Sequence, residues 1–308
     1  MPYIPQREEP PRQESPSPTP NPRIRWVLLI VSLTLIVYGS IRLIGYYSDL
    51  AAARQATDEL RAAAPISSPA EKEAPADSGM PEPAATVSPA LTVPPQAEKQ
   101  PASDSLPAMD YPNGYELNAR IQLLRKKNEN IIGWITMDDL DEPVAFRDNT
   151  FFLNHDVTGK KNVNGALFLD EGTRLLTRPY TLLVYGHNMK TGAMFGNLKK
   201  YEEFTYAFRH RFLRFDTLYE EGHYVLFSVS QICVTPGKSR YLNLMDIRSA
   251  NRKTRKNALD GLIRLGLHDM PTEVNEEDQV LLLITCVGDD DERLVVAARR
   301  LRDGESGQ

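Results

Sequence analysis

The chain has 308 residues, 41% hydrophobic and 25% charged, with a formal net charge of -5. That balance is ordinary for a globular protein, and its mild acidity argues against nucleic acid as a partner, because phosphate binding calls for a basic face. Two cysteines, Cys233 and Cys286, are too few for a disulfide framework and too widely spaced for a zinc knuckle, which leaves a buried thiol, a reactive thiol or a single disulfide.

In chain order, residues 1–25 are polar and proline-rich and read as a disordered cytoplasmic tail. Residues 26–41 carry no charge, and with Leu43 to Tyr47 beyond Arg42 the stretch 26–47 has the ~20 residues that cross a bilayer. Arg42, near its end, can snorkel to the headgroups; Trp26, Tyr46 and Tyr47 suit the interfaces. Arg23 and Arg25 precede the span, so the positive-inside rule predicts a single-pass signal anchor with the N-terminus in the cytoplasm and the rest outside. A cleaved signal peptide is the competing reading, with Ala51 to Ala53 as its only small-residue site. The Ala-rich residues 51–63 predict a short helix. The region 48–110 is otherwise dominated by Pro, Ala, Glu, Ser and Thr and is expected to be an extended extracellular spacer.

A folded domain is expected over 111–302, followed by a short tail at 303–308. Leu117, Ile121 and Leu124 recur at helical spacing and predict a helix over 114–127. Short apolar runs then dominate: 131–137, 165–169, 181–185, 224–234, 280–286 and 294–298, separated by Gly, Asn, Asp and Pro. Many short strands without βαβ alternation predict a mainly β, closed or nearly closed structure, with helical inserts near 198–208 and 249–266.

Two strand ends draw attention. His187 follows the apolar run 181–185 and Gly186, on a turn at the rim of a sheet, where loops braced by a scaffold hold functional groups. Cys286 ends the run 280–286, and Arg293 opens the next strand after a short acidic turn at 289–292. Antiparallel pairing would bring Cys286 and Arg293 to one end of the sheet. A thiol needs a base or a cation beside it, since the thiolate is the nucleophile. Histidine can relay the proton, and a guanidinium can stabilise an oxyanion. A buried strand-end thiol and a hairpin arginine paired with Asp289 to Asp291 are the structural alternatives, and those acids would disfavour a nearby thiolate. His155 with Asp156 reads as a turn cap. No metal or other cofactor is required, although the acidic loop leaves calcium open.

The run Tyr185-Gly186-His187-Asn188-Met189-Lys190-Thr191-Gly192, continuing through Phe195-Gly196-Asn197-Leu198, resembles the histidine segment of class B sortases. Ile132-Gly133-Trp134-Ile135, Phe152-Leu153-Asn154-His155-Asp156 and Gly165-Ala166-Leu167-Phe168-Leu169-Asp170 extend the resemblance, as do Thr285-Cys286 and Arg293-Leu294-Val295-Val296. It covers roughly 115–301. It implies a sortase-type, eight-stranded closed β-barrel with N-terminal helices and a long helix before the cysteine strand. It implies a membrane-anchored cysteine transpeptidase that cleaves C-terminal sorting signals of secreted proteins and passes the acyl group to a peptidoglycan amine. The roles carried over are nucleophile for Cys286, acid/base for His187 and oxyanion or substrate contact for Arg293, with Thr285 and Asn154 as sorting-peptide contacts. The gap from Cys286 to Arg293 is shorter than in many class B members. The expected partners are sorting-signal peptides, a cell-wall or peptidoglycan-precursor amine and the membrane through 26–47, in a Gram-positive type envelope. Two alternatives remain beside the transpeptidase: an inactive envelope scaffold, and a secreted cysteine peptidase in which water resolves the thioester.

Overall fold

The computed structural model describes residues 22–65, 108–109, 117–287 and 291–306. The tail at 1–21, most of the expected spacer and residues 288–290 of the acidic turn lie outside the described residues. The chain divides into two compact units, Met1–Ser48 and Asp49–Gln308.

Helix α1 runs Pro22–Ala63, so the predicted span and the predicted short helix are one element. It is long and apolar enough to cross a membrane by length and composition. Over 24–44 it exposes large apolar side chains on every face, Trp26, Leu35 and Ile44 among them, a pattern that water does not favour but lipid does.

In the second unit, α1 changes character. Leu50, Ala53, Thr57, Leu60 and Ala64 are buried at alternating three- and four-residue steps, the spacing that puts one stripe of a helix against a core. Strand β1 (Ala108–Met109) pairs with β5 (Arg178–Pro179). Helix α2 (Ala119–Lys127) is capped by Asn118, whose side chain accepts from the Ile121 amide, satisfying one of the free first-turn donors. Strands β2 (Ile131–Met137), β3 (Leu140–Phe146), β4 (Leu167–Leu169), β6 (Thr181–Tyr185), β7 (Phe212–Thr217), β8 (His223–Cys233), β9 (Val280–Cys286) and β10 (Glu292–Arg300) close an eight-stranded barrel in the order β10-β8-β7-β2-β3-β4-β6-β9. Helices α3 (Phe204–Arg209) and α4 (Arg252–Arg264) lie in the connections. The insert expected at 198–208 is a 3-10 segment, Gly196–Glu202, followed by α3, and the second insert is a 3-10 segment, Leu244–Arg248, followed by α4.

Successive strand residues point to opposite faces, and the barrel uses both. Leu281 and Leu283 of β9 join Leu182, Val184, Leu294 and Val296 in the interior cluster. Val280, Leu282 and Ile284 join Leu183, Val295 and Ala297 outside it, under Leu259 and Leu262 of α4. Because β6 and β9 are parallel and covered on both faces, their sequences are continuous apolar runs rather than alternating ones. Each such leucine or isoleucine contributes about 1.5–3 kcal/mol by burial. A third cluster joins Leu60 and Ala64 of α1 to Ile121, Trp134, Phe152 and Ala166.

Candidate active site

Strands β6, β9 and β10 are neighbours, and Cys286 ends the middle one. Register pairs Cys286 with Arg293 across the antiparallel β9–β10 ladder. On the parallel side Tyr185 pairs with Ile284, and the Gly186 amide donates to the Ile284 carbonyl at 3.2 Å. His187 therefore leaves β6 level with Cys286. Parity places two of the side chains alike: Cys286 shares a face with Leu282 and Ile284, and Arg293 with Val295. That is the face of the outer cluster beneath α4. The three predicted groups thus lie at the ends of adjacent strands, at one rim of the barrel.

Cys286 is exposed and a free thiol, and Cys233 is a buried free thiol. Cys233 pairs in register with Glu292, so the single disulfide considered above is not formed. Arg293 is half-buried and donates from Nη1 to the Glu292 carbonyl at 2.9 Å. In the acidic turn, Asp291 pairs with Lys238. The hydrogen bond from Lys238 holds the Asp291 carboxyl below the usual range, so a cation already balances this charge near the thiol. Burial pushes the phenol of Tyr185 well above its ordinary range, and the carboxylate of Asp170 adds to this while the guanidiniums of Arg248 and Arg293 oppose it.

The histidine is braced by main chain. His187 Nε2 lies 2.6 Å from the Leu153 carbonyl. A carbonyl can only accept, so Nε2 carries a hydrogen and Nδ1 is the nitrogen left to exchange a proton. Gly165 has φ +64°, and a Cβ there would meet the Phe152 carbonyl at 2.4 Å and His187 Cδ2 at 3.1 Å. The Phe195 amide donates to the His187 carbonyl at 3.0 Å. Asn188 Nδ2 donates to the Cys286 carbonyl at 3.0 Å, tying the two loops together. Among the described residues no hydrogen bond joins Cys286 Sγ to His187.

Thr285 is 2% exposed, and its hydroxyl donates to the Gly186 carbonyl at 2.8 Å. It braces the base of the histidine loop from inside the barrel. Asn154 is exposed, and its carbonyl accepts from the Asn162 amide at 2.8 Å. It follows Leu153 directly, at the mouth of the site. His155 Nδ1 is 2.8 Å from the Phe151 carbonyl, and Asp156 caps its own turn through the Thr158 and Lys160 amides. Among the described residues no cluster of three or more His, Cys, Asp or Glu is arranged to hold a metal. Leu153, Gly165 and Asn188 lie inside the motifs quoted from the sequence, but none was given a role there. Two of them act through backbone atoms, which carry no residue-type signal.

The model of the sortase domain family matches residues 139–301. Sortase B of Staphylococcus aureus is 25% identical over 192 residues, which is 60% of this chain and 76% of that protein. Sortase B of Listeria monocytogenes is 32% identical over 98 residues, 31% of this chain, and the matched stretch spans 40% of the relative. Among solved structures, sortase B of Bacillus anthracis in complex with AAEK1 superposes with a TM-score of 0.58 at 23% identity, covering 83% of this chain and 99% of that one. A second Bacillus anthracis structure, described as similar to sortase B, has 29% identity and a TM-score of 0.54 over 63% of this chain and 88% of that one.

Proposed function

The chain belongs to the sortase family, with its relatives among the class B cysteine transpeptidases, and from that premise we propose that it is a membrane-anchored enzyme that cleaves sorting-signal peptides and transfers the acyl group to a cell-wall amine. The observation that carries the reading is the register of three adjacent strands, which sets Cys286 between Arg293 and the Gly186–His187 turn at one rim of the barrel.

The steps follow from the chemistry of these groups. The Cys286 thiolate adds to the carbonyl carbon of the scissile peptide bond, and the resulting oxyanion is stabilised by the Arg293 guanidinium. His187, protonated at Nδ1, gives that proton to the departing nitrogen as the C–N bond breaks, leaving a thioester on Cys286. An acceptor amine then adds to the thioester and yields a proton to His187. The C–S bond breaks, its electron pair returns to sulfur, and an amide product leaves. The Leu153 carbonyl keeps Nε2 occupied through both stages. Thr285 keeps the histidine turn against the cysteine strand, and exposed Asn154 lines the mouth where a peptide enters. The apolar stretch 26–47 anchors the chain, with the catalytic unit on the extracellular side, in line with the arginines at 23 and 25.

Intact mass measurement of the protein mixed with a library of sorting-signal peptides tests this. An adduct on Cys286, lost on addition of a small amine with formation of an amide product and absent in Cys286→Ala, is the expected result. An adduct released equally well by water would assign a peptidase. Peptide binding with no adduct on a free Cys286 thiol would assign a scaffold.

A further inference from the structure

One segment, residues 151–166, flanks His187 at two points: the Leu153 carbonyl lies at Nε2, and Gly165 stands where an added Cβ would meet Cδ2 at 3.1 Å. That segment has no strand ladder to hold it. Its own turns close it, with Asn162 N–H donating to the Asn154 carbonyl at 2.8 Å, Gly165 N–H to the Asn162 carbonyl at 3.1 Å and Ala166 N–H to the Phe152 carbonyl at 3.0 Å. Asn162 takes part in two of these three bonds. It is 2% exposed, its Oδ1 accepts from the Asn164 amide at 2.9 Å, and its Nδ2 donates to the Asp49 carbonyl at 2.7 Å.

Asp49 begins the part of α1 that belongs to the catalytic unit. Residues 49–64 press on the same segment along their buried stripe. Leu60 and Ala64 share a cluster with Phe152 and Ala166, the immediate neighbours of the two residues that flank the imidazole. Ala53 and Thr57 line a cleft with Gly165 and Met194, and Met194 bridges to Asn188 beside the histidine. An imidazole gripped by a carbonyl at one edge follows any movement of that carbonyl, and displacement by a fraction of an ångström changes how it meets a thiol.

We infer that Asn162, bound to the Asp49 carbonyl, is a positioning residue for His187, and that the docked stretch 49–64 of α1 is through it part of the catalytic apparatus. The inference rests on the reading of Cys286 and His187 as nucleophile and acid/base. Asn162 touches no reacting atom. It fixes where Leu153 and Gly165 flank the ring.

The test uses the full chain in detergent, with no peptide present. The rate of Cys286 carbamidomethylation by iodoacetamide, with iodide as the leaving group, is followed against pH by site-resolved mass spectrometry, with buried Cys233 as internal control. His187→Ala sets the profile of the unassisted thiol. Asn162→Asp keeps the acceptor for the Asn164 amide and removes the donor to Asp49. The Leu50→Ala/Leu60→Ala double variant loosens the helix while leaving every residue of 151–166 unsubstituted. Both are expected to move the inflection by about half a pH unit or more toward the His187→Ala profile, at temperatures where circular dichroism finds each fully folded. A wild-type profile in either variant overturns the inference. A wild-type profile identical to that of His187→Ala overturns the nucleophile–histidine reading, and the inference with it.

Discussion

Arg293 and Cys286 face each other as a register pair, which is what the proposed oxyanion contact requires of the strands. Arg293→Lys keeps the charge and loses the planar fork. Its kcat/KM for thioester formation should fall by about 10²-fold or more, with the melting temperature near that of the parent; an unchanged kcat/KM would remove Arg293 from the mechanism. Gly165 makes a different kind of demand. Its φ of +64° and a Cβ 2.4 Å from the Phe152 carbonyl leave no room for a side chain. Gly165→Ala should cost about 1–3 kcal/mol of stability, read by chemical denaturation, and should slow thioester formation beyond what the folded fraction explains. Both residues lay within motifs noticed in the sequence. The placement of Arg293 beside Cys286 was legible there, because strand order suffices to suggest it, while its proposed role came from the resemblance. The role of Gly165 was not legible, because it consists of an absent Cβ beside a ring that is distant in sequence.

At the scale of elements, strands β2, β6 and β9 were legible to the residue, since apolar runs bounded by turn residues have few other solutions. Strands β3 and β7 were missed. Pro143 and three acidic residues lie in or beside β3, and Arg214 with Asp216 interrupts β7, yet Asp216 is 1% exposed and paired with Arg214 at 2.8 Å. A partner made the buried charge acceptable, and a local pattern cannot name a partner. The same holds for Glu142, whose side chain meets Thr57 of α1 at 2.8 Å. Burial pushes its carboxyl up to about 7, opposed by the Thr57 hydrogen bond and by Arg61, while Asp141 and Asp58 raise it further. A carboxyl raised on folding contributes stability that is complete below its unfolded value near 4.5 and is lost as pH rises through about 7. Docking of residues 50–64 should therefore loosen between pH 4.5 and 7, read as falling hydrogen-exchange protection after correction for the intrinsic rate. Glu142→Gln should flatten that dependence, and a pH-independent protection in the parent would contradict the assignment.

At the scale of the molecule, one chain joins a helix suited to lipid and a barrel suited to water. The apolar residues of 24–44 are exposed on all faces of α1, and among the described residues of their own unit nothing covers them. The full chain should sediment with membranes and resist alkaline carbonate. Protease added to intact protoplasts should digest the catalytic unit and leave a fragment protected at the N-terminus. Solubility in carbonate would favour a cleaved signal peptide, and protection of the catalytic unit would reverse the proposed orientation.

What the sequence determined by itself was local: the apolar span, the strands buried on both faces, and the residue types able to carry thiol chemistry. Each depends on composition and period within a few residues, and those are written directly in the chain. What only the tertiary structure decided was which distant atoms meet. The Leu153 carbonyl on the imidazole and the Asp49 carbonyl on Asn162 involve backbone groups that every residue possesses, and the need for a glycine at 165 is set by residues distant in sequence. Their selection rests on barrel closure and on the docking of a helix more than a hundred residues upstream of the histidine.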